Sequence, residues 1–312
     1  ALPIFLFQNR RGFAPMIECR TCGWVPKCKN CDVSLTYHKG INQLTCHYCG
    51  YTIQLPPHCP ECQSTELKMM GFGTEKVEEE IASLFPSAKV ERLDFDTART
   101  RTAYERIISD FEKGKTQILI GTQMLSKGLD FGNVSVVGIL NADNLMNYPD
   151  FRAHERAFQL MVQVSGRAGR RDKRGTVVLQ TSQPEHPLIR MVQHFAYKEM
   201  VRLQLSERSM FRYPPYYRLI VLVLRSRKET DMQQLSVIYP HKLQARLGER
   251  VLGPVTPPVT RVQTLHIKKI VLKIEIAAAI APVREILEVV HSEMQRYLPF
   301  RQLLVHYDVD PA

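Results

Sequence analysis

The chain has 312 residues, of which 44% are hydrophobic and 23% charged, and its formal charge is +11. Its most apolar stretch, residues 270–281, is interrupted by Lys273 and Glu275. The ~20 consecutive apolar residues of a membrane helix are therefore missing, which excludes a protein with helical membrane spans. Such a basic balance favours a polyanionic partner such as nucleic acid over a merely soluble basic protein.

The chain opens with a predicted buried strand, Pro3–Phe7. No basic leader and no small-residue cleavage site accompany it, so we expect no signal peptide and a cytoplasmic location. A buried strand at the first residues predicts that this sequence was cut from a longer chain.

All eight cysteines follow between residues 19 and 62, as four Cys-x-x-Cys pairs. Such a turn directs two sulfurs at one metal, and two turns complete a tetrahedral site with no position left for water. The pattern predicts two structural Cys₄ zinc sites. A disulfide framework would need an oxidising compartment, a redox Cys-x-x-Cys is usually single, and iron–sulfur ligation is possible but less typical of paired turns.

Four pairs can combine in three ways. Fourteen residues separate Cys31 from Cys46, close to the ~15–20 of a zinc ribbon. This favours a nested arrangement over pairing by neighbours, with an inner site nested within an outer one. The inner site would be Cys28, Cys31, Cys46 and Cys49, and the outer site Cys19, Cys22, Cys59 and Cys62.

Strands and helices alternate in the rest of the chain up to about residue 195. We expect further strands at Val90–Leu93, Gln117–Ile120, Val134–Leu140 and Thr176–Gln180, and helices at Glu75–Phe85, Arg101–Phe111 and Ala153–Val164. Alternating βα units predict a parallel sheet covered on both faces. The expected fold is α/β, a RecA-like lobe with the zinc module inserted after its first strand.

Two segments carry chemistry. The first, residues 121–130, follows a predicted strand, where ligands of open α/β sheets bind. In it Thr122 can contact a phosphate, Gly128 permits close approach, and Asp130 can accept from a ribose hydroxyl; an ordinary loop with a capping Asp is an equal alternative. The second, residues 163–171, places Arg167 and Arg170 three apart. We expect them on one helical face, aimed at a triphosphate, although a solvated basic helix end would also explain the arginines.

These segments read Gly-Thr-Gln-Met-Leu-Ser-Lys-Gly-Leu-Asp-Phe and Gln-Val-Ser-Gly-Arg-Ala-Gly-Arg, which resemble motifs V and VI of superfamily 2 helicases. Residues 5–15, 149–156, 180–181 and 184–187 are similar to the primosomal protein N′ (PriA) family, whose inserted zinc module matches the eight cysteines in position. The resemblance covers essentially the whole chain. It implies a 3′→5′ DNA helicase, with ATP and Mg²⁺ as cofactors, that acts at stalled or branched forks and initiates primosome assembly for replication restart. Asn141 departs from the family, which usually has an acidic residue there.

The resemblance also implies roles for individual residues. Gln163, Arg167 and Arg170 would act on ATP across a cleft between two lobes, together with Gly128 and Asp130. The implied partners are branched and single-stranded DNA, primosome proteins, single-strand-binding protein and the replicative helicase loader, with the protein a monomer. DNA contacts would come from Thr122, Arg10, Arg11, Arg261, Lys268 and Lys269.

A phosphate-binding loop is missing from the sequence. Gly114-Lys115-Thr116 imitates one, but Ser109 stands where its first glycine belongs, and the segment precedes a strand instead of following it. An Asp-Glu pair for Mg²⁺ after a strand is also missing. We therefore expect the chain alone to hydrolyse no ATP, whereas the full-length protein would.

The last hundred residues predict a second domain. After a helix near Leu188–Leu205 and the rigid Tyr213-Pro214-Pro215-Tyr216, the order βαββαβ indicates a ferredoxin-like sheet. Its expected contact surface is Arg261–Lys269, with a solvated strand edge as the alternative. The predicted elements are Arg218–Leu224, Asp231–Leu247, Arg250–Leu252, a turn at Pro254–Pro258, Leu265–Ile276, Val283–Tyr297 and Gln302–Tyr307.

The predicted domains are a helicase lobe at residues 1–12 and 71–208, a zinc module at 13–70 and a DNA-contacting domain at 209–312. Two other readings remain open. One is a zinc-ribbon nucleic-acid binder with no nucleotide role, and the other is a scaffold whose zinc surface docks primosome proteins.

Overall fold

The computed structural model describes residues 3–8, 16–38, 42–46, 48–70, 73–94, 97–98, 100–122, 134–147, 150–169, 175–297, 300–301 and 303–311. The chain forms two compact units. The first comprises residues 1–25, 36–44 and 54–204, and the second comprises residues 26–35, 45–53 and 205–312. Residues 13–70 are thus shared between both units, and the division into three domains stays a prediction.

The first unit is built on a parallel five-stranded sheet, as predicted. Its strands are β1 (Ile4–Gln8), β7 (Val90–Leu93), β8 (Ile118–Gly121), β9 (Val136–Leu140) and β10 (Thr176–Leu179). Every pairing in the sheet is parallel, and the strand order is β10-β9-β1-β8-β7.

Side-chain alternation along these strands divides the core between the two faces of the sheet. Ile4, Leu6, Ile118 and Ile120 pack with helix α1 (Thr74–Leu84). Phe5, Phe7 and Leu119 pack on the opposite face against helices α2 (Arg101–Glu112), α3 (Asp143–Met146), α4 (Ala153–Ser165) and α5 (Pro187–Gln193). Successive strand residues point to opposite faces, so strands apolar throughout must be covered on both sides.

The cysteine-rich insertion is closed at its base by two antiparallel strands. These are β2 (Met16–Cys19) and β6 (Leu67–Met70), paired so that Cys19 lies opposite Leu67. The pairing brings the two ends of the insertion together, as the nested arrangement of cysteines requires. Three short strands lie within it, at β3 (Thr36–His38), β4 (Gln43–Thr45) and β5 (Thr52–Gln54).

The second unit contains the predicted ferredoxin-like sheet. Its strands are β11 (Tyr217–Ser226), β12 (Val251–Val255), β13 (Arg261–Val262), β14 (Leu265–Glu275) and β15 (Leu304–Val309). They pair antiparallel in the order β12-β14-β11-β15, and the short strand β13 pairs with β14. Helices α7 (Glu229–Leu247) and α8 (Ile280–Gln295) bury their apolar residues with this sheet, around Leu222, Tyr239 and Ile270.

Two predictions about local structure are wrong, and so is one alternative, the solvated strand edge at Arg261–Lys269. The single helix near 188–205 is two helices, α5 and α6 (Tyr197–Met210), because Phe195 adopts φ 51° between them. Pro254 lies within β12 and not in a turn, since a register shift between Leu252 and Val255 accommodates it. Strand β14 is an inner strand of its sheet, so Lys268 and Lys269 do not lie on an edge.

Across the described ranges, every helix is too short or too polar to cross a membrane.

Candidate functional site

The eight cysteines form two clusters, and the grouping is the nested one. Within each, the four sulfurs all lie within 4.8 Å of one another. Cys19 and Cys62 are 3.6 Å apart in the outer cluster, as are Cys22 and Cys59, and the Cys28 and Cys49 sulfurs of the inner cluster are 3.5 Å apart. A tetrahedral ion with bonds of about 2.3 Å needs sulfurs about 3.8 Å apart. Both clusters therefore fit a structural Zn²⁺ ion.

Three of the four Cys-x-x-Cys turns share one backbone pattern. The first cysteine accepts at its carbonyl from the residue four positions later, and its own N–H donates to the residue five positions later. The fourth residue after the cysteine has positive φ in each case: 74° at Gly23, 74° at Gly50 and 60° at Gln63. Glycine at two of these positions follows from that conformation, which L side chains adopt only at a cost.

The turn at Cys28 is completed differently. The N–H of Asp32, the corresponding fourth residue, donates to the carbonyl of Arg261, with an N···O distance of 2.8 Å. The backbone N–H of Gln263 donates to the sulfur of Cys31 at 3.2 Å. Arg261 lies in β13 and Gln263 in the turn that follows it, so a second part of the unit contributes directly to the surroundings of the inner cluster.

Burial raises the pKa of the Cys31 thiol to about 12, against the lowering effect of the Gln263 N–H and in concert with the nearby Cys49 and Cys46 sulfurs. Four thiols packed this closely oppose one another's ionisation, and a divalent cation removes that opposition by binding all four as thiolates. The donor set is therefore suited to a soft, four-coordinate ion such as zinc, with no ligand position for water.

The arginine motif lies at the end of helix α4. The helix ends at Ser165, and Gly166 caps it. Arg167 therefore lies in the following turn, and the prediction that it shares a helical face with Arg170 is wrong for this residue. Gln163 is exposed on the last helical turn, and Arg167 is half-buried. Arg170 lies outside the described residues.

The turn that carries Arg167 is held against the starts of two strands. Gly169, at φ 71°, donates its N–H to the carbonyl of Val134 at 3.0 Å. A Cβ at Gly175, just before β10, would lie 2.6 Å from the carbonyl carbon of Ala168. This close approach fixes the backbone beside Arg167 and requires glycine at position 175.

Polar residues occupy the carboxyl end of every strand in the parallel sheet. We call this set, Gln8, Asp94, Thr122, Asn141 and Gln180, the carboxyl edge. Thr122 is 4% exposed, and its Oγ1 has no hydrogen-bond partner among the described residues. Buried hydroxyls are normally paired, so this oxygen is suited to a ligand or to a neighbouring segment. Gly128 and Asp130, and likewise Arg10 and Arg11, lie outside the described residues.

The remaining basic residues of the predicted DNA surface are half-buried and already hydrogen-bonded in part. The Arg261 guanidinium donates to the carbonyl of Lys29 at 3.3 Å, and Lys268 donates to Thr256 Oγ1 at 2.6 Å. Lys269 lies opposite Val223 in the sheet. Their roles in DNA binding stay predictions.

One polar cluster at the carboxyl edge was not anticipated from the sequence. Asp143 accepts hydrogen bonds from Thr181 Oγ1 at 2.6 Å and from the N–H of Ser182 at 2.8 Å. Burial would raise the pKa of Asp143, but these hydrogen bonds outweigh it and hold the pKa below its ordinary value. The three residues line a cavity of about 570 Å³ with Gln8 and Asn141. Its sequence signal was the polar run that follows each strand.

Three family models match the chain in succession. Residues 28–53 match the PriA DNA helicase Cys-rich region (CRR) domain, and residues 62–172 match the helicase conserved C-terminal domain. Residues 209–312 match the primosomal protein N C-terminal domain. The first match covers the inner cluster, the second contains Thr122, Gln163 and Arg167, and the third coincides with the ferredoxin-like sheet and its helices.

Curated relatives agree with these matches. The chain is 38% identical over 309 residues to the replication restart protein PriA of Bacillus subtilis, covering 98% of this chain and 38% of that protein. The PriA protein of Synechocystis is 41% identical over 82% of this chain and 32% of its own length. That of Treponema pallidum is 37% identical over 98% of this chain and 46% of its own length. This chain thus spans less than half the length of these relatives.

Proposed function

This chain belongs to the replication restart protein PriA family and corresponds to its C-terminal part. We therefore propose that it is the C-terminal part of an ATP-dependent 3′→5′ DNA helicase. The full-length protein would recognise stalled or branched replication forks and initiate primosome assembly there. The observation that carries the proposal is the succession of a PriA cysteine-rich region, a helicase C-terminal domain and a PriA C-terminal domain along one chain.

In this proposal, Arg167 stabilises the charge that develops on the phosphates as ATP is cleaved. Arginine is suited to the role because its planar guanidinium stays charged and donates several hydrogen bonds at once. The rigid backbone at Gly169 and Gly175 supports it, since a group that stabilises a transition state must be positioned before the reaction. Gln163, Arg170, Gly128 and Asp130 would complete the contacts with ATP and its Mg²⁺ ion.

Thr122 and a set of basic residues would bind DNA. The buried hydroxyl of Thr122, which has no hydrogen-bond partner among the described residues, supports a phosphate contact, and the net charge of +11 supports binding to a polyanion. We assign the same role to Arg10, Arg11, Arg261, Lys268 and Lys269. Primosome proteins, single-strand-binding protein and a helicase loader are the proposed protein partners of a monomeric helicase.

We expect the chain alone to hydrolyse no ATP. The segment that imitates a phosphate-binding loop has other contacts: Lys115 Nζ lies 3.3 Å from the Asp110 carboxylate, and Thr116 Oγ1 donates to Glu91 at 2.6 Å. A phosphate-binding loop must follow a strand, whereas this segment connects α2 to the start of β8. The lysine and metal ligand for phosphoryl transfer would belong to the rest of the full-length protein.

The test is DNA-stimulated ATP hydrolysis and unwinding by the full-length protein carrying Arg167→Ala. Removal of an arginine that acts in phosphoryl transfer lowers kcat by about 10³-fold or more. The matched control is Arg156→Ala, on helix α4 of the same unit, where the guanidinium pairs with Asp150 at 3.2 Å and is 45% exposed. Near-normal kcat in the Arg156 variant and a large loss in the Arg167 variant support the proposal. Equal activity of the two variants would overturn it.

A further inference from the structure

The turn between β13 and β14 is a hairpin with an unfavourable sequence. Its two central residues, Gln263 and Thr264, have φ values of 49° and 69°. Both residues of a two-residue turn have positive φ in type I′, for which Asn-Gly is strongly preferred. A β-branched threonine in this conformation is an outlier, and such residues persist only where their surroundings impose them.

This turn lies against residues 30–32, which include Cys31 of the inner cysteine cluster. Besides the Gln263 N–H to Cys31 sulfur bond, the N–H of Thr264 donates to the carbonyl of Asn30 at 2.8 Å. Adjacent residues form two further hydrogen bonds. The N–H of Asp32 donates to the carbonyl of Arg261, and Thr260 Oγ1 donates to the Asp32 carboxylate at 2.6 Å. These contacts join segments more than 220 residues apart in sequence, all within the second unit.

The direction of these hydrogen bonds has chemical consequences. A thiolate ligand that accepts from a backbone N–H keeps less negative charge, and its orientation toward the metal is fixed. The Asp32 N–H bond replaces the internal bond that completes the other three Cys-x-x-Cys turns. Without the hairpin, the turn at Cys28 would lack both this closure and the N–H donor at Cys31.

We propose that the 260–264 hairpin is an integral part of the inner zinc site, with Gln263 as a positioning residue whose backbone N–H supports the Cys31 thiolate. Zinc binding and the docking of the hairpin then stabilise each other, as thermodynamic linkage requires. Zinc at the inner site thereby maintains the conformation of the segment that begins the proposed DNA surface. This coupling depends on the metal site alone and does not require that the chain be part of a helicase.

The first test measures zinc release to a chromogenic chelator from the 312-residue chain. Two backgrounds separate the sites: Cys22→Ser leaves the inner zinc, and Cys49→Ser leaves the outer zinc. Gln263→Pro removes the N–H and prevents positive φ, and we expect it to accelerate release of the inner zinc about tenfold or more, as loss of such a partner usually does. Release of the outer zinc should be unchanged. Gln263→Asn with Thr264→Gly keeps both N–H donors in a favourable turn and should release the inner zinc no faster than the parent.

Cobalt substitution at the inner site gives a readout that simple loosening of the fold would not produce. Loss of the N–H donor makes the Cys31 thiolate a stronger donor, so the sulfur-to-cobalt charge-transfer band should move to lower energy in Gln263→Pro and stay in place in the Asn-Gly variant. Equal release rates and identical bands in all three proteins would overturn the proposal.

A reciprocal test avoids any change in the hairpin, in case the proline variant fails to fold. Hydrogen exchange of the 260–265 amides is measured in Cys49→Ser, which loses the inner zinc, and in Cys22→Ser, which loses the outer one. We expect exchange about tenfold faster or more in the Cys49 variant alone. Equal exchange in the two variants would contradict the coupling.

Discussion

Substitution of Gly175 by alanine tests how the backbone positions Arg167. The added Cβ would lie 2.6 Å from the carbonyl carbon and 2.7 Å from the Cβ of Ala168, and it would also meet the backbone nitrogen of Gly169. Carbon atoms in favourable contact are about 3.6 Å apart, so the turn must retreat by about 1 Å. Arg167 immediately precedes Ala168 and would move with it. A misplacement of about 1 Å can lower the rate about a hundredfold.

The assay is DNA-stimulated ATP hydrolysis by the full-length protein, with zinc content and thermal unfolding measured alongside. The control is Gly114→Ala, where φ is 71° and the added Cβ meets no atom within 4 Å. That change should lower stability by roughly 1–2 kcal/mol because of its backbone conformation, yet leave kcat nearly unchanged. Full ATPase activity of the Gly175→Ala protein would refute the positioning argument.

Three further outcomes are expected. Metal analysis should find two zinc ions per chain, falling to one in Cys49→Ser and in Cys62→Ser; a disulfide-linked or metal-free protein would contradict both sites. The hydrogen bond from Lys242 to Glu293, at 2.8 Å, holds the pKa of that carboxyl below its ordinary value, so its stabilisation exists at neutral pH and is lost as the pH falls through the folded-state pKa. Glu293→Gln should therefore lower the free energy of unfolding at pH 7 and lower it less below about pH 4, whereas the exposed Glu288→Gln should change little; a pH-independent difference would disprove the assignment. Purified chain should show no ATPase activity above background, and measurable DNA-stimulated turnover would contradict the proposed need for a second lobe.

The parallel sheet and the zinc clusters could be predicted because their signals are local. Strands such as Ile118–Gly121 and Val136–Leu140 are short apolar runs, and amphipathic helices such as Arg101–Glu112 lie between strands, a pattern that defines a covered sheet without knowledge of distant contacts. The nested grouping followed from chain spacing, since only the Cys-x-x-Cys turns that end at Cys31 and begin at Cys46 are separated by a number of residues close to that of a zinc ribbon. Both signals reside in nearby residues and need no tertiary information.

Helix ends that depend on a left-handed residue were harder to predict. Phe195 ends α5 in a Schellman motif: its N–H donates to Val192, and the N–H of Ala196 donates to Met191. Glycine usually marks such a position, so phenylalanine gave no signal. At the end of α4 the signal existed, because Gly166 and Gly169 lie three apart beyond the apolar periodicity. The prediction that Arg167 and Arg170 share one helical face overlooks this signal.

The hairpin contacts at the inner zinc site could not be read from the sequence. The Gln263–Cys31 bond joins residues 232 positions apart, and its donor is a backbone N–H that every non-proline residue possesses. The contact therefore cannot be predicted from the residue type at either end. Only the fold reveals that a turn without glycine is hydrogen-bonded to the residues around the inner cysteine cluster.

The central claim, that Arg167 acts on the phosphates of ATP during cleavage, is tested most directly by binding of a transition-state analogue. The affinities of the full-length protein for ADP with aluminium fluoride and for ADP alone are compared with those of Arg167→Ala. Groups that act in the transition state favour its analogue selectively. We therefore expect the variant to lose about a hundredfold or more in affinity for the analogue, with ADP binding nearly unchanged. Equal affinities for the analogue in both proteins would contradict the assignment.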